Sequence, residues 1–462
     1  MGQQDRIVAV VGLGKIGLPL AVQYAQHGWS VIGCDVNPEV VKAINAGQSH
    51  VHEEPELADA VPALVRAGLL SAMVNTTEAV RRANAVVVIV PVMVNATHDV
   101  DFRAIDAATS AIGEGLQPNT LVSYETTLPV GTTAQRFARE LERRSGLKAG
   151  QEFFLAYSPE RVSSGHIFRD LRTYPKVIGG VNEKSTEAGR NFYQSVLDAE
   201  IITMASTDEA EFVKLIETTY RDVNIALANE FARFADTHGL NATGAIAAAN
   251  TQPYSHIHTP GVGVGGHCIP VYPYFLLAGV EGPHDETQPL PLSLPRYARR
   301  INDAMADYAV QRLEAVLGPL AHQPVLLLGV AYRGNVREVA FTSAKLLQQA
   351  LQAHGAEVYT DDPLFSADEL RALGYTPLTA DKEGEIRAIV LQADHQEYHS
   401  LDFSRFPRSQ AVLDGRRALQ RTQIEAAGMQ YIAIGDGRGE QSLLQREGQQ
   451  ALSALLPERG RE

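Results

Sequence analysis

Cysteine is nearly absent from this chain of 462 residues, which contains only Cys34 and Cys268. Two cysteines are too few for a disulfide scaffold, and in a reducing compartment both are free thiols. Long apolar runs are missing as well, since no stretch reaches the about 18 consecutive apolar residues that a membrane-spanning helix requires. The first residues also lack the charged segment followed by an apolar one that marks a secretory signal. These absences predict a cytoplasmic protein without a disulfide framework or a membrane span.

Positive charge is in the minority, with 40 lysine and arginine residues against 54 acidic residues and a net charge of -14. This balance opposes nonspecific attraction to nucleic acid or to an anionic membrane, so we expect neither as a partner. Any anionic ligand must be held by local positive groups. Hydrophobic residues make up 45% of the chain and charged residues 20%, which is typical of a globular protein. At roughly 100 to 200 residues per domain, the length predicts two to four domains.

Strand and helix patterns alternate through the N-terminal part of the chain. Residues 6–12 form an apolar run that ends in glycine, a helical spacing of apolar residues follows, and residues 30–35 predict a second strand. Further strand-like runs occur at 85–90, 120–124, 153–156 and 176–178. This alternation predicts a doubly wound parallel sheet that extends to about residue 200.

The remainder of the chain divides into a helical part and a second α/β part. Ser206 and Glu209 form a capping-box pattern, which predicts a helix that continues to about Asp236. Strand-like runs recur at 324–329, 357–361, 388–391 and 411–413, and we expect the polar tail from Gln441 to fray. The predicted fold is α/β, with two Rossmann-like doubly wound parallel-sheet domains, 1–203 and 317–462, joined by a central helical domain, 204–316.

A glycine pattern predicts a dinucleotide site at the first turn. Gly12, Gly14 and Gly17 fit G-x-G-x-x-G between a predicted strand and a predicted helix. The first permits the tight turn, the second the approach of a pyrophosphate, and the third close packing of helix on strand. Asp35 would accept hydrogen bonds from the adenosine ribose and repel a 2′-phosphate, which favours NAD over NADP. The alternative is an ordinary strand-helix turn, and Cys34 is interpreted as a packing residue.

The second cysteine lies in a glycine-dense segment, Pro260 to Pro270, with the sequence PGVGVGGHCIP. Glycine leaves room there for a ligand and a route for the thiol of Cys268. A thiolate beside a nicotinamide can trap an aldehyde as a thiohemiacetal, whose oxidation gives a thioester that water hydrolyses. From spacing alone, a structural thiol is at least as well supported as a catalytic one, and His267 is not assigned as a base.

Taken in order, these motifs resemble the UDP-glucose/GDP-mannose dehydrogenase family, and most closely its UDP-N-acetylhexosamine 6-dehydrogenase branch. The matching landmarks run almost from end to end of the chain. Besides residues 12–17 they are GCDVN at 33–37, ETTLPVGTT at 125–133, SPERV at 158–162, KLIE at 214–217, YRDVNIALANE at 220–230, GGHC at 265–268, ARRIND at 298–303 and GVAYR at 329–333.

The resemblance implies an NAD-dependent oxidation of the C6 alcohol of a UDP-N-acetylhexosamine to a uronate in two hydride transfers. It implies that Cys268 is the nucleophile, that Lys214 polarises the C6 oxygen, and that Glu160 activates water. Thr127 lies near the reacting centre by the same resemblance. From the residues alone, Lys214 could be a solvated cation, Glu160 a cap of the turn after Pro159, and Thr127 a partner of the loop backbone.

Cofactor, substrate and partner are implied in the same way. NAD is the cofactor, no metal is implied, and a UDP-sugar is the small-molecule partner of a homodimer formed through the central segment. Arginine suits such a ligand because its planar fork pairs with phosphate oxygens. The expected cofactor contacts are Gly12, Gly14, Lys15, Ile16, Gly17, Asp35, Pro91, Glu125 and Thr127. The expected substrate contacts are Arg161, Val162, Lys214, Arg221, Gly265, Arg299, Tyr332 and Arg333.

The sequence departs from the family pattern at two positions near the expected chemistry. Thr218 stands four residues after the lysine, where the family usually has asparagine, and Tyr272 stands four residues after the cysteine, where it usually has aspartate. Thr218 can still donate and accept a hydrogen bond, but Tyr272 cannot supply a carboxylate charge. A different proton path is therefore open for the first oxidation. The sugar is left open by two other departures: residues 250–255 lack the arginines expected before the glycine-dense segment, and residues 337–340 replace the family's acidic-rich segment and its arginine.

Three alternatives remain. The substrate could be UDP-glucose. The chain could instead be a single-step β-hydroxyacid dehydrogenase, although that reading gives no role to Cys268. The protein could also bind NAD and a nucleotide sugar without turning them over, which the departures at Thr218 and Tyr272 would explain.

Overall fold

A computed structural model describes residues 6–95, 97–278 and 292–437, so the tail predicted from Gln441 lies outside the described residues. The chain forms two compact units. Unit 1 consists of Met1–Glu217 and Tyr274–His284, and unit 2 consists of Thr218–Pro273 and Asp285–Glu462.

Unit 1 is built on an eight-stranded sheet with the order β10-β9-β8-β7-β4-β1-β2-β3. Its strands are β1 (Ile7–Val11), β2 (Ser30–Cys34), β3 (Leu70–Met73), β4 (Ala85–Val88), β7 (Leu121–Tyr124), β8 (Phe154–Tyr157), β9 (Lys176–Gly180) and β10 (Ile201–Thr203), and a separate hairpin pairs β5 (Met93–Val94) with β6 (Val100–Asp101). Its helices are α1 (Gly17–Gln26), α2 (Pro38–Asn45), α3 (Leu57–Arg66), α4 (Thr76–Arg82), α5 (Arg103–Gly115), α6 (Ala138–Ser145), α7 (Ile167–Thr173) and α8 (Glu183–Val196), and a π-helical turn at Thr132–Phe137 precedes α6.

The direction of two strands, β9 and β10, departs from the predicted parallel arrangement. β8 and β9 pair antiparallel, with Ala156 opposite Gly180 and Tyr157 opposite Gly179. β10 then pairs parallel to β9. The prediction of an all-parallel sheet is therefore correct only for the six neighbouring strands from β8 to β3 in the sheet order. Because β9 is antiparallel to β8, the first residue of β9 lies at the carboxyl end of β8.

Unit 2 contains a five-stranded parallel sheet with the order β12-β11-β13-β14-β15. The strands are β11 (Pro324–Leu328), β12 (Glu357–Asp361), β13 (Ala388–Leu391), β14 (Ala411–Asp414) and β15 (Gln430–Ala433). The helices of unit 2 are α10 (Ala242–Ala249), α12 (Ser293–Leu317), α13 (Ser343–Ala353), α14 (Ala367–Ala372), α15 (Ala380–Glu383) and α16 (Arg421–Ala426), with short 3-10 turns at Gln396–Ser400 and Phe403–Arg405. The helix α11 (Tyr272–Ala278) begins at the end of a unit 2 segment and continues into unit 1. Apolar clusters cover both faces of the sheet, as a parallel sheet requires.

The long helix α9 (Thr207–His238) begins in unit 1 and ends in unit 2. Its predicted cap is present, because the Ser206 hydroxyl accepts a hydrogen bond from the Glu209 amide at 3.2 Å. In a complete capping box the Glu209 carboxylate would accept a hydrogen bond from the Ser206 amide. Here it accepts one from the amide of the residue before, Ala205, at 3.0 Å. Within the described ranges, the helices are too short or too polar to cross a membrane.

Candidate active site

The glycine turn between β1 and α1 has the geometry that its pattern predicts. Gly12 has a φ of +95°, a region that disfavours residues with a side chain. A Cβ on Gly17 would lie 1.8 Å from the carbonyl oxygen of Gly12, whereas a Cβ on the exposed Gly14 would meet nothing within 4 Å. The first and third glycines therefore serve backbone packing, and the second leaves open space beside the turn.

The acidic residue expected at the ribose end lies beside this turn. One Asp35 carboxylate oxygen accepts a hydrogen bond from the Leu13 amide at 3.0 Å and the other from the Asn37 amide at 2.9 Å. Lys15 forms an ion pair with Glu53 at 2.8 Å. The carboxylate is thus fixed at the end of β2, next to the turn.

These features fit a dinucleotide. No side chain caps α1, whose N-cap residue is Ile16, so the positive end of the helix dipole faces the turn. The space beside Gly14 lies at the same turn. Pro91 is exposed three residues after the end of β4, at the carboxyl edge of the same sheet.

A buried cluster follows the next two strands at this edge. Glu125 comes directly after β7, Glu160 follows β8, and Lys176 begins β9. The Lys176 ammonium lies 2.7 Å from one oxygen of Glu125 and 2.8 Å from one oxygen of Glu160, and its side chain is 5% exposed. We call these three residues the Glu-Lys-Glu cluster.

The two carboxyls of the Glu-Lys-Glu cluster differ in their hydrogen-bond partners. Glu125 accepts from the phenols of Tyr24 at 3.1 Å and Tyr193 at 2.7 Å. Glu160 accepts from the backbone amides that follow it, those of residues 161 and 162, at 2.7 and 3.0 Å. The alternative role considered for Glu160, capping of the turn after Pro159, is therefore present in the structure.

Burial and Lys176 act in opposite directions on the two carboxyls. Burial is the largest influence on Glu125 and raises its pKa, although the ammonium of Lys176 opposes this rise. Burial also raises the pKa of Glu160, but the attraction of Lys176 and the hydrogen bonds from Glu125 and the backbone outweigh it, so the pKa of Glu160 lies below its usual range. The pKa of Glu160 therefore lies below that of Glu125.

Lys214 lies on α9 with 9% of its surface exposed. One turn before it, the buried Glu211 accepts hydrogen bonds from the Gly131 amide at 2.6 Å and from the Thr133 amide and hydroxyl at 2.8 and 2.7 Å. The loop that follows β7 also contains Thr127, which is buried. Glu211 therefore ties the helix that carries Lys214 to the loop that carries Thr127.

Two expected substrate contacts sit beside Glu160. Arg161 pairs with Glu217 at 2.5 Å and donates to the carbonyl of Pro175 at 3.0 Å. Val162 packs partly buried against the apolar core of unit 1. The structure brings both next to the Glu-Lys-Glu cluster, but it commits the Arg161 guanidinium to protein partners.

In unit 2 the glycine-dense segment packs closely on the loop after β11. A Cβ on Gly265 would lie 2.8 Å from the Cβ of Tyr332, and one on Gly266 would lie 3.2 Å from the Tyr332 ring. His267 pairs with Glu338 at 3.4 Å. Gly265 and Tyr332, both expected substrate contacts, are thus neighbours, and only glycine permits this approach.

The two cysteines differ in their surroundings. Cys268 is a free thiol of intermediate exposure just before α11, and its carbonyl accepts from the Tyr272 amide at 2.9 Å. Cys34 is 1% exposed, and its burial raises the pKa of its thiol to about 12. The interpretation of Cys34 as a packing residue agrees with this burial.

A chain of buried amides fixes the start of the cysteine segment. The Asn229 side chain accepts from the Gly261 amide at 3.0 Å and donates to the Asn302 side chain at 2.9 Å. Asn302 in turn donates to the Asp222 carboxylate at 2.8 Å. The Cys268 segment is therefore anchored to both α9 and α12.

The remaining expected residues of unit 2 lie in different settings. Arg299 is 3% exposed and pairs with Asp222 at 2.6 Å and Asp303 at 2.5 Å, which is the setting of a structural cation. Arg221 and Arg333 are exposed, as a ligand contact requires. Thr218, one turn beyond Lys214 on α9, is 5% exposed.

Three ionic residues next to the expected site were not predicted from the sequence, of which Lys176 and Glu211 are buried and Arg416 is half-buried. Lys176 appears in the predictions only as part of a strand, because a lysine at the start of an apolar run is by default a solvated cation. Glu211 precedes Lys214 by one turn of the same helix. Arg416 follows β14 and donates to the Gly263 carbonyl of the cysteine segment at 3.2 Å and to the Gln392 carbonyl at 2.6 Å.

Three consecutive segments of the chain match the domains of one family. Residues 6–197 match the NAD binding domain of the UDP-glucose/GDP-mannose dehydrogenase family, residues 208–304 its central domain, and residues 326–421 its UDP binding domain.

Individual relatives cover nearly the whole chain. UDP-N-acetyl-D-mannosamine dehydrogenase from Pyrococcus horikoshii is 36% identical over 441 residues, which are 94% of this chain and 99% of that protein. NDP-N-acetyl-D-galactosaminuronic acid dehydrogenase from Ralstonia nicotianae is 34% identical over 91% of this chain and 98% of its own. A solved structure of UDP-D-ManNAc dehydrogenase from Pyrococcus horikoshii superposes with a TM-score of 0.83 at 34% identity and covers 93% of this chain and 99% of that one.

Proposed function

The chain belongs to the UDP-glucose/GDP-mannose dehydrogenase family and is an NAD-dependent nucleotide-sugar dehydrogenase, and on that premise we propose that it oxidises the C6 alcohol of a UDP-N-acetylhexosamine to a carboxylate. UDP-N-acetylmannosamine is the favoured sugar, followed by UDP-N-acetylglucosamine. The names of the relatives support an N-acetylated sugar, and the segment Glu160-Arg161-Val162 supports the same branch.

The observation that carries the two-step chemistry is the contrast between the two thiols. Cys268 is partly exposed and follows a glycine-rich segment with few side chains, whereas Cys34 is buried. Cys268 is the nucleophile that adds to the C6 aldehyde and holds the product of the second oxidation as a thioester. Bound NAD accepts the hydride in each oxidation.

The other catalytic roles go to residues of α9 and of the carboxyl edge of the unit 1 sheet. Lys214 stabilises the negative charge that develops on the C6 oxygen, because an ammonium in a water-poor site is an effective electrostatic partner. Thr218, one turn further on, can donate a hydrogen bond where the family usually has an amide. Thr127 lies near the reacting centre, and Glu160 takes the proton of the hydrolytic water.

The binding roles follow the placement of the remaining side chains. Asp35 and the amides of the glycine turn would hold NAD, with Glu125 buried behind the cofactor site. The cofactor set is Gly12, Gly14, Lys15, Ile16, Gly17, Asp35, Pro91, Glu125 and Thr127. The substrate set is Arg161, Val162, Lys214, Arg221, Gly265, Arg299, Tyr332 and Arg333. Because Arg299 is already paired with two aspartates, we propose that it supports the site without direct contact with the substrate.

We propose a functional division into 1–203 for NAD, 204–316 for the cysteine segment and the dimer contact, and 317–462 for the UDP-sugar. A stripe on α9 supports a homodimer, because exposed apolar residues recur there at intervals of three, four or seven, the spacing of one helix face. Its members are Phe212, Ile216, Tyr220, Leu227, Phe231 and Phe234, each between 41% and 57% exposed.

Oligomeric state tests this stripe directly. We expect Phe231→Asp to convert the dimer to a monomer in sedimentation velocity, because burying a carboxylate in an apolar interface is unfavourable. Tyr254→Asp, at a position that is 88% exposed outside α9, is the control and should leave the mass unchanged. A parent protein that sediments as a monomer would exclude the homodimer.

A panel of nucleotide sugars tests the reaction. The purified protein is incubated with NAD and UDP-N-acetylmannosamine, UDP-N-acetylglucosamine, UDP-N-acetylgalactosamine or UDP-glucose, and NADH is counted per sugar consumed. Two NADH per N-acetylated sugar, with a kcat/KM well above that for UDP-glucose, are expected. A preference for UDP-glucose would replace the proposed sugar, and one NADH per sugar would contradict the thioester route.

Cysteine variants separate the remaining alternatives. Cys268→Ala should abolish formation of the carboxylate, whereas Cys34→Ala should still yield two NADH per sugar. A single-step dehydrogenase would tolerate Cys268→Ala. Calorimetric binding of NAD and UDP-sugar by the parent protein without NADH formation would instead favour a non-catalytic binding protein.

A further inference from the structure

Lys176 is a buried cation that the proposed reaction does not yet use. We propose that Lys176 is a positioning residue, whose ammonium holds the Glu160 carboxylate in the orientation from which it takes a proton from the hydrolytic water. The inference rests on the proposed function, because it concerns the hydrolysis of the Cys268 thioester. It assigns Lys176 no contact with the substrate.

The antiparallel strand explains why a lysine stands here. Position 156 lies opposite 180 and position 157 opposite 179, and the same register continued past the end of β8 brings Lys176 opposite Glu160. A parallel β9 would start at the other edge of the sheet, far from both carboxyls. Because β9 runs antiparallel to β8, its first residue, Lys176, lies at the sheet edge where Glu125 follows β7 and Glu160 follows β8.

Both oxygens of Glu160 are held. Oε1 accepts from the amides of Arg161 at 2.7 Å and Val162 at 3.0 Å, and Oε2 accepts from the Lys176 ammonium at 2.8 Å. The backbone fixes one oxygen and the ammonium fixes the other, so rotation about the last side-chain bond is restricted. Loss of the ammonium would remove the cation that contacts Oε2 and leave two buried carboxyls side by side.

Lys176 is itself held from its other side. Its ammonium lies 2.7 Å from Oε2 of Glu125 and 5.1 Å from the centre of the Tyr193 ring. The phenols of Tyr24 on α1 and Tyr193 on α8 both donate to Oε1 of Glu125. The titratable groups around Glu160 are thus Lys176, Glu125, these two tyrosines and the neighbouring Arg161, whose guanidinium pairs with Glu217 at 2.5 Å. Lys176 is the cation that contacts Glu160.

Lys176 acts in the hydrolysis of the Cys268 thioester. The water oxygen bonds to the thioester carbonyl carbon, the carbon–sulfur bond breaks, and the sulfur of Cys268 leaves as a thiolate. One water proton passes to Glu160, and the carboxylic acid product gives the other to the thiolate or to solvent. No electrons are exchanged in this step.

Three variants test the role. Lys176→Met removes the charge but keeps a long apolar stem, Lys176→Arg keeps the charge, and Lys184→Met makes the same change at an exposed position on α8. Each full-length protein is mixed with NAD and UDP-N-acetylmannosamine and quenched over time. Intact mass then measures the sugar bound to Cys268, and NADH absorbance measures the oxidations.

We expect Lys176→Met to form the thioester but to hydrolyse it at least tenfold more slowly. We also expect the acid limb of hydrolysis to move to higher pH, because Lys176 keeps Glu160 ionised at low pH. Lys176→Arg should restore most of the rate, and Lys184→Met should match the parent. A merely structural lysine would not shift the pH profile, so a parent-like rate and profile in Lys176→Met would overturn the proposal.

The double variant Lys176→Met/Glu125→Gln guards against misfolding, because it removes one carboxyl together with the cation. With parent-like thermal melting, slow hydrolysis in this protein supports the positioning role and parent-like hydrolysis overturns it. A parent protein that never forms the Cys268 adduct and yields one NADH per sugar would instead refute the proposed function. Failure of the Lys176 proposal is therefore observed in the Lys176 variants, and failure of the proposed function in the parent protein.

Discussion

The contact between Glu211 and the loop after β7 leads to a quantitative prediction. The substitution Glu211→Gln keeps the size of the side chain but replaces one acceptor oxygen by an amino group. The two carboxylate oxygens serve the amides of Gly131 at 2.6 Å and Thr133 at 2.8 Å, one each. A single amide oxygen cannot serve both, so one buried N–H loses its acceptor.

The cost follows from that count. A buried donor left without an acceptor costs about 1 to 3 kcal/mol. Local opening of the loop becomes easier by the same amount, which corresponds to a roughly 5- to 150-fold change in the opening equilibrium. The effect is confined to the loop because Glu211 contacts it directly.

Hydrogen exchange measured by mass spectrometry on peptides that contain Gly131 and Thr133 reports this opening. Exchange of their amides should accelerate by that factor in Glu211→Gln. Glu209→Gln, at an exposed position of the same helix turn, is the matched control and should change exchange of the loop by less than about twofold. Equal exchange in the parent and in Glu211→Gln would refute the assignment of Glu211 as the anchor of this loop.

Three further outcomes follow from the site. Gly17→Ala should lower both the melting temperature and NAD affinity, because its Cβ overlaps a carbonyl oxygen, whereas Gly14→Ala should lower NAD affinity alone; equal melting losses in both would contradict this. Iodoacetamide at pH 8 should label one thiol per folded chain, at Cys268, because burial raises the pKa of Cys34 to about 12; labelling of both would show that Cys34 is accessible. Asp35→Ser should raise kcat/KM with NADP at least tenfold relative to that with NAD, and an unchanged ratio would remove Asp35 from cofactor selection.

Most of the strands that the sequence predicts are buried on both faces, and β12, at the end of its sheet, is the exception. β4 consists of four buried alanine and valine residues, and such a run has no other plausible place in a globular chain. The pattern missed β3, β10 and β15, which lie at sheet ends. An edge strand is partly exposed, as the burial of Ile201–Thr203 illustrates, so its apolar pattern is short and broken.

The direction of β9 is not encoded in its own residues. Its apolar run is as consistent with a parallel strand as with an antiparallel one, and the difference is set by how the preceding connection returns to the sheet. The partners of Lys176 depend on that direction. The Glu-Lys-Glu cluster was therefore beyond reach even though all three residues stood in recognised segments.

The glycine turn could be predicted because each glycine acts on its immediate neighbours. Gly12, Gly14 and Gly17 are set by local backbone geometry, which a sequence pattern records directly. Glu211 and Arg416 act on segments far away in sequence. The role of such a charged residue can be assigned only when its tertiary partner is known. Arg299 was therefore predicted to contact the substrate, because its pairing with Asp222 and Asp303 cannot be read from the sequence.

The hydrogen bonds that link Gly261, Asn229, Asn302 and Asp222 all run in one direction, and the carboxylate of Asp222 sets that direction. Asp222 can only accept, so Asn302 must present its nitrogen there and its oxygen to Asn229, whose own oxygen is left for the backbone of the cysteine segment. Spontaneous deamidation of either asparagine would turn a donor into an acceptor and set two acceptors face to face. The chemical ageing of two buried side chains would then loosen the segment that carries Cys268.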